Sequence, residues 1–300
     1  MSEKKQAPAI DPSRRATWKE STKEITLWGH KMTVSYPTLK DPRIVQITIL
    51  TTVTLLGQFV FQFEITALQI LIVVLTSVIL DVLLTYIHRK IIIFPASGFI
   101  SSLSLALLLQ VREGHYEYIV YFIAGVLAIG SKYYIVFDKR HVFNPSNFAI
   151  VLLLIALPNL VTINPEQWRT SYILIAPIIL LGTRLIIKAK VYGIALSFLA
   201  AEMFFFLVYN LNGELGWFQG VTNFPFSILS PSLLIFTFFM ITDPRTTPKN
   251  QIGKVLFGGV IGALHWLFLS FELESLALFL SLFIMSMTVP VINRLTANLE

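Results

Sequence analysis

The sequence predicts an all-α polytopic membrane protein of about ten transmembrane helices, arranged as two inverted five-helix repeats with both termini in the cytoplasm. Three observations carry that expectation. Hydrophobic residues make up 55% of the 300 and charged residues only 13%, with a mean hydropathy of +0.72. A soluble domain carries about a quarter charged residues, so this chain has too few charges to cover a globular surface. The apolar residues fall in long continuous runs rather than alternating ones, which suits helices and excludes a transmembrane barrel. Finally, the Lys and Arg residues gather on one side of the topology those runs create. The absence of cysteine removes disulfides, reactive thiols and thiolate-held zinc or iron–sulfur clusters from consideration.

Residues 1–42 differ in composition from the rest. They are polar and basic, and no apolar h-region follows the basic start, so they do not read as a signal peptide. They are expected to form a cytoplasmic arm, partly disordered at its beginning. Trp18, Ile25, Leu27 and Trp28 would either rest part of it on the membrane interface or pack on the protein's own loops.

A helix that spans a bilayer needs about 20 mainly apolar residues. Ten segments qualify between residues 43 and 294: 44–63, 65–87, 92–111, 118–137, 145–163, 171–188, 191–210, 226–242, 253–271 and 274–292. The loops between them are short and leave no room for a second domain. With the N-terminus inside, 21 of the 23 Lys and Arg residues lie on the cytoplasmic side and only Arg112 and Arg169 lie outside. That asymmetry fixes the orientation and accounts for the net charge of +6 without a nucleic-acid partner.

Two segments hint at a duplication. Phe94-Pro95-Ala96-Ser97 precedes a run containing Ser102-Leu103, and Phe224-Pro225-Phe226-Ser227 precedes one containing Ser232-Leu233, each at an offset of 130 residues. These are the third span of a first set of five and the third of a second set. A five-span unit repeated once inserts upside down, which gives halves of about 43–165 and 166–294 and a site near the midplane between them. Chance similarity of two apolar segments is the competing explanation. Pro95, Pro225 and Pro231 should break their helices, and broken backbone at membrane depth is tolerated only beside protein or a cavity. Spans three and eight are therefore expected to line the site.

Ionisable groups inside spans mark function by default. Glu202 sits mid-span with no basic neighbour in sequence, which makes it a candidate ion or transport site. Asp81 is a second candidate, although a pair with Arg89 or Lys90 would serve structure alone. His265 reads as a buried, hydrogen-bonded histidine; no metal-ligand spacing surrounds it. No catalytic motif and no metal site is expected.

Two cytoplasmic loops are unusually ordered in composition. Asn144-Pro145 reads as a helix N-cap and first residue, with Asn147 one turn on. Thr242-Asp243-Pro244-Arg245-Thr246-Thr247-Pro248 places two prolines and paired threonines between spans eight and nine. No phosphate-binding loop, dinucleotide fingerprint or nucleophile elbow is present.

The stretches His141-Val-Phe-Asn-Pro-Ser-Asn-Phe148 and Met240-Ile-Thr-Asp-Pro-Arg-Thr-Thr-Pro248 resemble the NqrB/RnfD family of membrane electron-transport subunits. That family includes NqrB of the sodium-translocating NADH:quinone reductase and RnfD of the Rnf electron-transport complex. With Asp41-Pro-Arg-Ile-Val-Gln-Ile47 and Asn164-Pro-Glu-Gln-Trp168, the first stretch is most similar to a branch found with enediyne biosynthesis clusters. The resemblance covers about residues 40–290. It implies flavin-mediated electron transfer coupled to cation movement, other subunits of a membrane complex as partners, and a bacterial inner membrane as the location. In the redox members a threonine of a Ser-Gly-Ala/Gly-Thr motif carries covalent FMN; the corresponding position here is Leu233, which has no hydroxyl. Covalent FMN is therefore not expected. Non-covalent FMN or riboflavin would sit between Phe143 and Phe148, with Asn144 and Asn147 on its pyrimidine edge and Thr242 and Asp243 in the facing loop. A non-redox transporter of the same fold, or an assembly subunit, is the alternative function.

Overall fold

The computed structural model describes residues 20–27, 30–38, 41–112, 114, 116–163, 172–211 and 230–299. Ten helices lie among them, one in each of the ten predicted segments. They are α1 (Pro42–Phe59), α2 (Ala67–Arg89), α3 (Ala96–Leu108), α4 (Glu117–Tyr134), α5 (Pro145–Ala156), α6 (Tyr172–Lys188), α7 (Tyr192–Leu211), α8 (Pro231–Ile235), α9 (Gln251–Leu269) and α10 (Glu274–Leu295). The chain beyond α8 continues as a π-helical turn, Phe236–Met240. Four of these helices, α2, α7, α9 and α10, are long and apolar enough to cross a membrane. On α2, Leu68, Leu71, Leu75, Ile79 and Leu83 form an exposed stripe at helical spacing. A water-soluble helix would carry polar side chains on such a face; this one is dressed for lipid. The chain is an integral membrane protein built of helices.

Two helices stop early, and the sequence says why. At 1.5 Å per residue, the 13 residues of α3 and the 12 of α5 cover well under the hydrocarbon thickness. Span five, expected to run from 145 to 163, ends at Ala156 because Pro158 follows. Proline removes an N–H and biases the residue before it away from helix, and Leu157 takes φ −133° and ψ 53°. Both ends continue as short strands, β4 (Leu109–Val111) and β7 (Val161–Ile163), which pair antiparallel. The pairing satisfies backbone groups that lipid could not, and the Tyr121 hydroxyl donates to the Leu109 carbonyl at 2.9 Å. The expected break in span three is present, and α8 is shorter still. The second proline segment of the proposed duplication, residues 224–227, lies outside the described residues.

The arm is more structured than expected. Glu20–Leu27 (β1) and His30–Pro37 (β2) form an antiparallel hairpin, and β2 pairs in parallel with Ile92–Ile93 (β3), just before α3. This part of the arm is therefore tied to the protein's own backbone. Trp18 and Trp28 lie outside the described residues. A last hairpin, β5 (Val136–Phe137) with β6 (Arg140–His141), leads from α4 into α5.

Candidate functional site

The polar residues that the sequence singles out gather into three clusters. The first joins the start of α5 to the end of the π turn. Asn144 caps α5: its Oδ1 accepts from the Asn147 N–H at 3.2 Å and from the Ser146 hydroxyl at 2.8 Å. Its amide Nδ2 donates to the Met240 carbonyl at 3.4 Å. Asn147 is fully buried; its Nδ2 donates to the Phe279 carbonyl of α10 at 3.1 Å, while its Oδ1 has no hydrogen-bond partner among the described residues. Phe143, Phe148 and Phe283 close around one another, with the Phe143 and Phe283 rings stacked at 4.5 Å. The structure thus brings all four expected side chains of this loop together. Both amide NH₂ groups are directed at backbone carbonyls, and one buried acceptor is left open.

The facing loop is locked by its own side chains. The Thr242 hydroxyl donates to the Phe238 carbonyl at 2.6 Å. Asp243 Oδ1 accepts from the Arg245 N–H at 3.0 Å, an Asx turn that suits the Asp-Pro start. Asp243 Oδ2 lies 3.4 Å from His141 Nε2, which ties the loop to the β5–β6 hairpin. Burial raises the Asp243 carboxyl, but the hydrogen bond and charge of His141 and the Arg245 N–H outweigh it, so the group is held below the ordinary carboxylate range.

The second cluster surrounds Asp81. Its carboxylate takes Lys132 Nζ at 2.5 Å and the Tyr133 hydroxyl at 2.7 Å, both from α4. The partner is therefore Lys132 and not Arg89 or Lys90, which the sequence suggested as its neighbours. Asp81 Oδ2 also accepts from the Gly98 N–H at 3.0 Å. Gly98 is the third residue of α3, whose own N-cap, Pro95, offers no side-chain hydrogen bond. A carboxylate from α2 thus caps the broken helix α3 and meets the positive end of its dipole. The approach is close: a Cβ on Gly98 would sit 3.0 Å from the Ser77 carbonyl oxygen and 3.2 Å from Asp81 Cβ, so its neighbours would have to give by a few tenths of an ångström.

The third cluster lies between α7 and α9. Glu202, 4% exposed, accepts from Trp266 Nε1 at 3.0 Å and pairs with His265 Nδ1 at 2.8 Å. The basic neighbour that its local sequence lacks is supplied by His265, and the expectation of a hydrogen-bonded His265 is met. Lys132 and Tyr133 were not anticipated as site residues. The signal was available, since a lysine inside segment 118–137 needs a partner as much as Asp81 does. Among the described residues, no group of three His, Asp or Glu side chains could hold a metal ion.

The clusters lie on a scaffold with known relatives. Residues 165–299 match the NQR2, RnfD, RnfE family. The chain resembles the NqrB/RnfD family. It is 28% identical over 190 residues to the RnfD component of the ion-translocating oxidoreductase complex of Buchnera aphidicola subsp. Acyrthosiphon pisum (strain 5A), covering 60% of this chain and 53% of the relative. It is 30% identical over 137 residues to the protein of the same name from Erwinia tasmaniensis, covering 43% and 35%. Over 65 residues the identity with the Buchnera aphidicola subsp. Baizongia pistaciae protein of that name is 37%, covering 22% and 18%. The chain spans about half the length of the curated relatives it matches.

Proposed function

We propose that this chain is a membrane subunit of a flavin-dependent electron-transport complex that is coupled to cation translocation and works with other subunits in a bacterial inner membrane. The observation that carries the reading is the similarity of residues 165–299 to the NQR2, RnfD, RnfE family, supported by relatives that are subunits of ion-translocating oxidoreductases. The family's two inverted five-helix halves and cytoplasmic termini are part of the proposal, and the paired short helices α3 and α8 are in keeping with them.

The residues fit a non-covalent flavin better than a covalent one. Asn147 Oδ1 is a buried acceptor without a partner among the described residues, which is what the imide N–H of a flavin ring requires; Phe143 and Phe148 lie beside it with their rings 5.2 Å apart, so a flavin between them would have to part them. Asn144, Thr242 and Asp243 hold the backbone that shapes this corner. Bound there, a flavin would supply one- and two-electron transfer. Leu233 has no hydroxyl for a phosphoester, and the Ser230 hydroxyl is engaged in capping α8 through the Leu233 N–H. Purification in mild detergent and a visible spectrum test the reading: flavin should be present, released by acid or denaturant, and absent from the denatured band on a gel. Asn147→Leu should lose it, since an unmet buried hydrogen bond costs about 1–3 kcal/mol. Protein free of flavin in native membranes would overturn the redox reading.

The Glu202–His265 pair favours a second reading, a non-redox transporter of the same fold. A carboxylate and an imidazole at hydrogen-bond distance can hold a proton between them. Uptake in proteoliposomes whose cation dependence is unchanged by Glu202→Gln would remove this pair as the coupling site, and Asp81 would be the next candidate.

A further inference from the structure

Where α6 ends and α7 and α9 begin, a cavity of about 280 Å³ opens against the 244–249 loop. Its lining includes three cationic side chains, Arg140, Lys249 and Lys254, and no acidic one among the described residues. Asp243, the nearest carboxylate in sequence, is turned to His141 and the Arg245 N–H. The three cations are set differently. Lys254 is buried, and its Nζ donates at 2.8 Å to the carbonyl of Lys190, a residue held at φ 55° after α6. It fixes the back of the cavity. Arg140 and Lys249 are exposed at its margin, and neither side chain has an ion pair or hydrogen bond among the described residues. Thr247, 1% exposed, lines the same space with a hydroxyl that likewise has no partner among them.

Exposed apolar side chains stand close in sequence to the residues that line this space. Ile187 near the end of α6 and Ile252 and Val255 in the first turns of α9 are exposed. The start of α7 packs close to that turn of α9, because a Cβ on Gly193 would lie 3.4 Å from Val255 Cγ2. Basic cavities at the ends of membrane helices, with apolar helix faces running away from them, suit an anionic head on an apolar tail.

We propose that this cavity binds the phosphate headgroup of an anionic phospholipid. Arg140 and Lys249 meet the phosphate oxygens, Thr247 donates its hydroxyl, and the acyl chains lie along Ile187, Ile252 and Val255. A free phosphate would use the same cations and gain nothing from the apolar flank. The site shares no residue with the flavin corner or the intramembrane acids, so it stands whether or not the redox reading does.

Native mass spectrometry of the full chain in detergent tests the proposal, with phosphatidylglycerol, phosphatidylcholine and inorganic phosphate as probes. Phosphatidylglycerol should be retained in preference to phosphatidylcholine. The double variant Arg140→Gln with Lys249→Gln should weaken that retention roughly 30-fold, as expected for two cations lost at a membrane surface. Arg140→Lys with Lys249→Arg should keep it. A thermal melt like that of the parent shows that the glutamine variant is folded. Equal retention of the two lipids, or unchanged preference in the folded glutamine variant, would overturn the proposal. Displacement of phosphatidylglycerol by millimolar inorganic phosphate would assign the site to a soluble anion instead and overturn the lipid occupant.

Discussion

Asp81 shows how much one side chain can organise. It closes a salt bridge to Lys132, accepts from Tyr133 and caps α3 through Gly98. Asp81→Asn should leave the Lys132 ammonium buried without its counter-ion, a loss of about 3–5 kcal/mol for a broken buried pair. It should appear as a clearly lowered melting temperature in detergent, and Asp81→Asn combined with Lys132→Met should recover part of the loss. A single variant as stable as the parent would show that the pair does not hold α2, α3 and α4 together. Asp243 makes a prediction of opposite character, in pH. Its carboxyl is held below the ordinary carboxylate range despite burial, by His141 and the Arg245 N–H. A depressed folded-state value means that its contribution is fully present above the ordinary carboxylate range and is lost as pH falls through the depressed one. The melting temperatures of the parent and Asp243→Asn should therefore differ most near neutral pH and converge in acid; a gap that widens in acid would reverse the sign. The sequence announced that Asp81 and Glu202 needed partners, because ionisable groups inside spans always do. It did not say which, because Lys132 and His265 lie 51 and 63 residues away and no periodicity links them.

At the scale of elements, all ten apolar segments were legible, since each is a continuous run of nearly spanning length. Helix starts were legible where proline reads as a breaker, as at Pro95 and Pro231, which cut the expected spans 92–111 and 226–242 short, and an end was missed where an apolar run continues through Pro158. The β1–β2 hairpin was missed because a polar arm offers no apolar periodicity; its anchor is the backbone of β3, far along the chain. How closely helices approach was likewise hidden in composition and visible only in space. The α7–α9 contact is set by Gly258, where a Cβ would fall 2.3 Å from both the Ile194 carbonyl oxygen and Ser197 Oγ. Small residues at such crossings let membrane helices close on each other. Gly258→Leu should force α9 off α7, cost about 1–3 kcal/mol by overpacking, and disturb the nearby Glu202–His265 pair. The adjacent Gly259 meets nothing within 4 Å of its would-be Cβ, so Gly259→Ala should leave the melting temperature unchanged or slightly raised. Equal sensitivity at both positions would mean that helix propensity, not packing, governs this contact.

For the whole molecule the decisive quantity is orientation, and α10 offers a direct measure of it. Its 22 residues extend about 33 Å at 1.5 Å per residue, close to the hydrocarbon thickness of a bilayer. Ser275 lies in its first turn and Ala297 just beyond its last, and both are exposed. If all ten segments cross the membrane, 21 of the 23 Lys and Arg residues lie on the side of both termini, and the positive-inside rule then predicts Ala297 in the cytoplasm and Ser275 outside. The chain has no cysteine of its own, so a single introduced thiol reports without background. Ser275→Cys should react with a membrane-impermeant maleimide on intact cells, and Ala297→Cys only after permeabilisation. The reverse pattern would invert the molecule and move the Asn147 corner and the Arg140–Lys249 cavity to the outer face. Labelling of both from one side would mean that α10 does not cross, and the ten-span topology would fail with it.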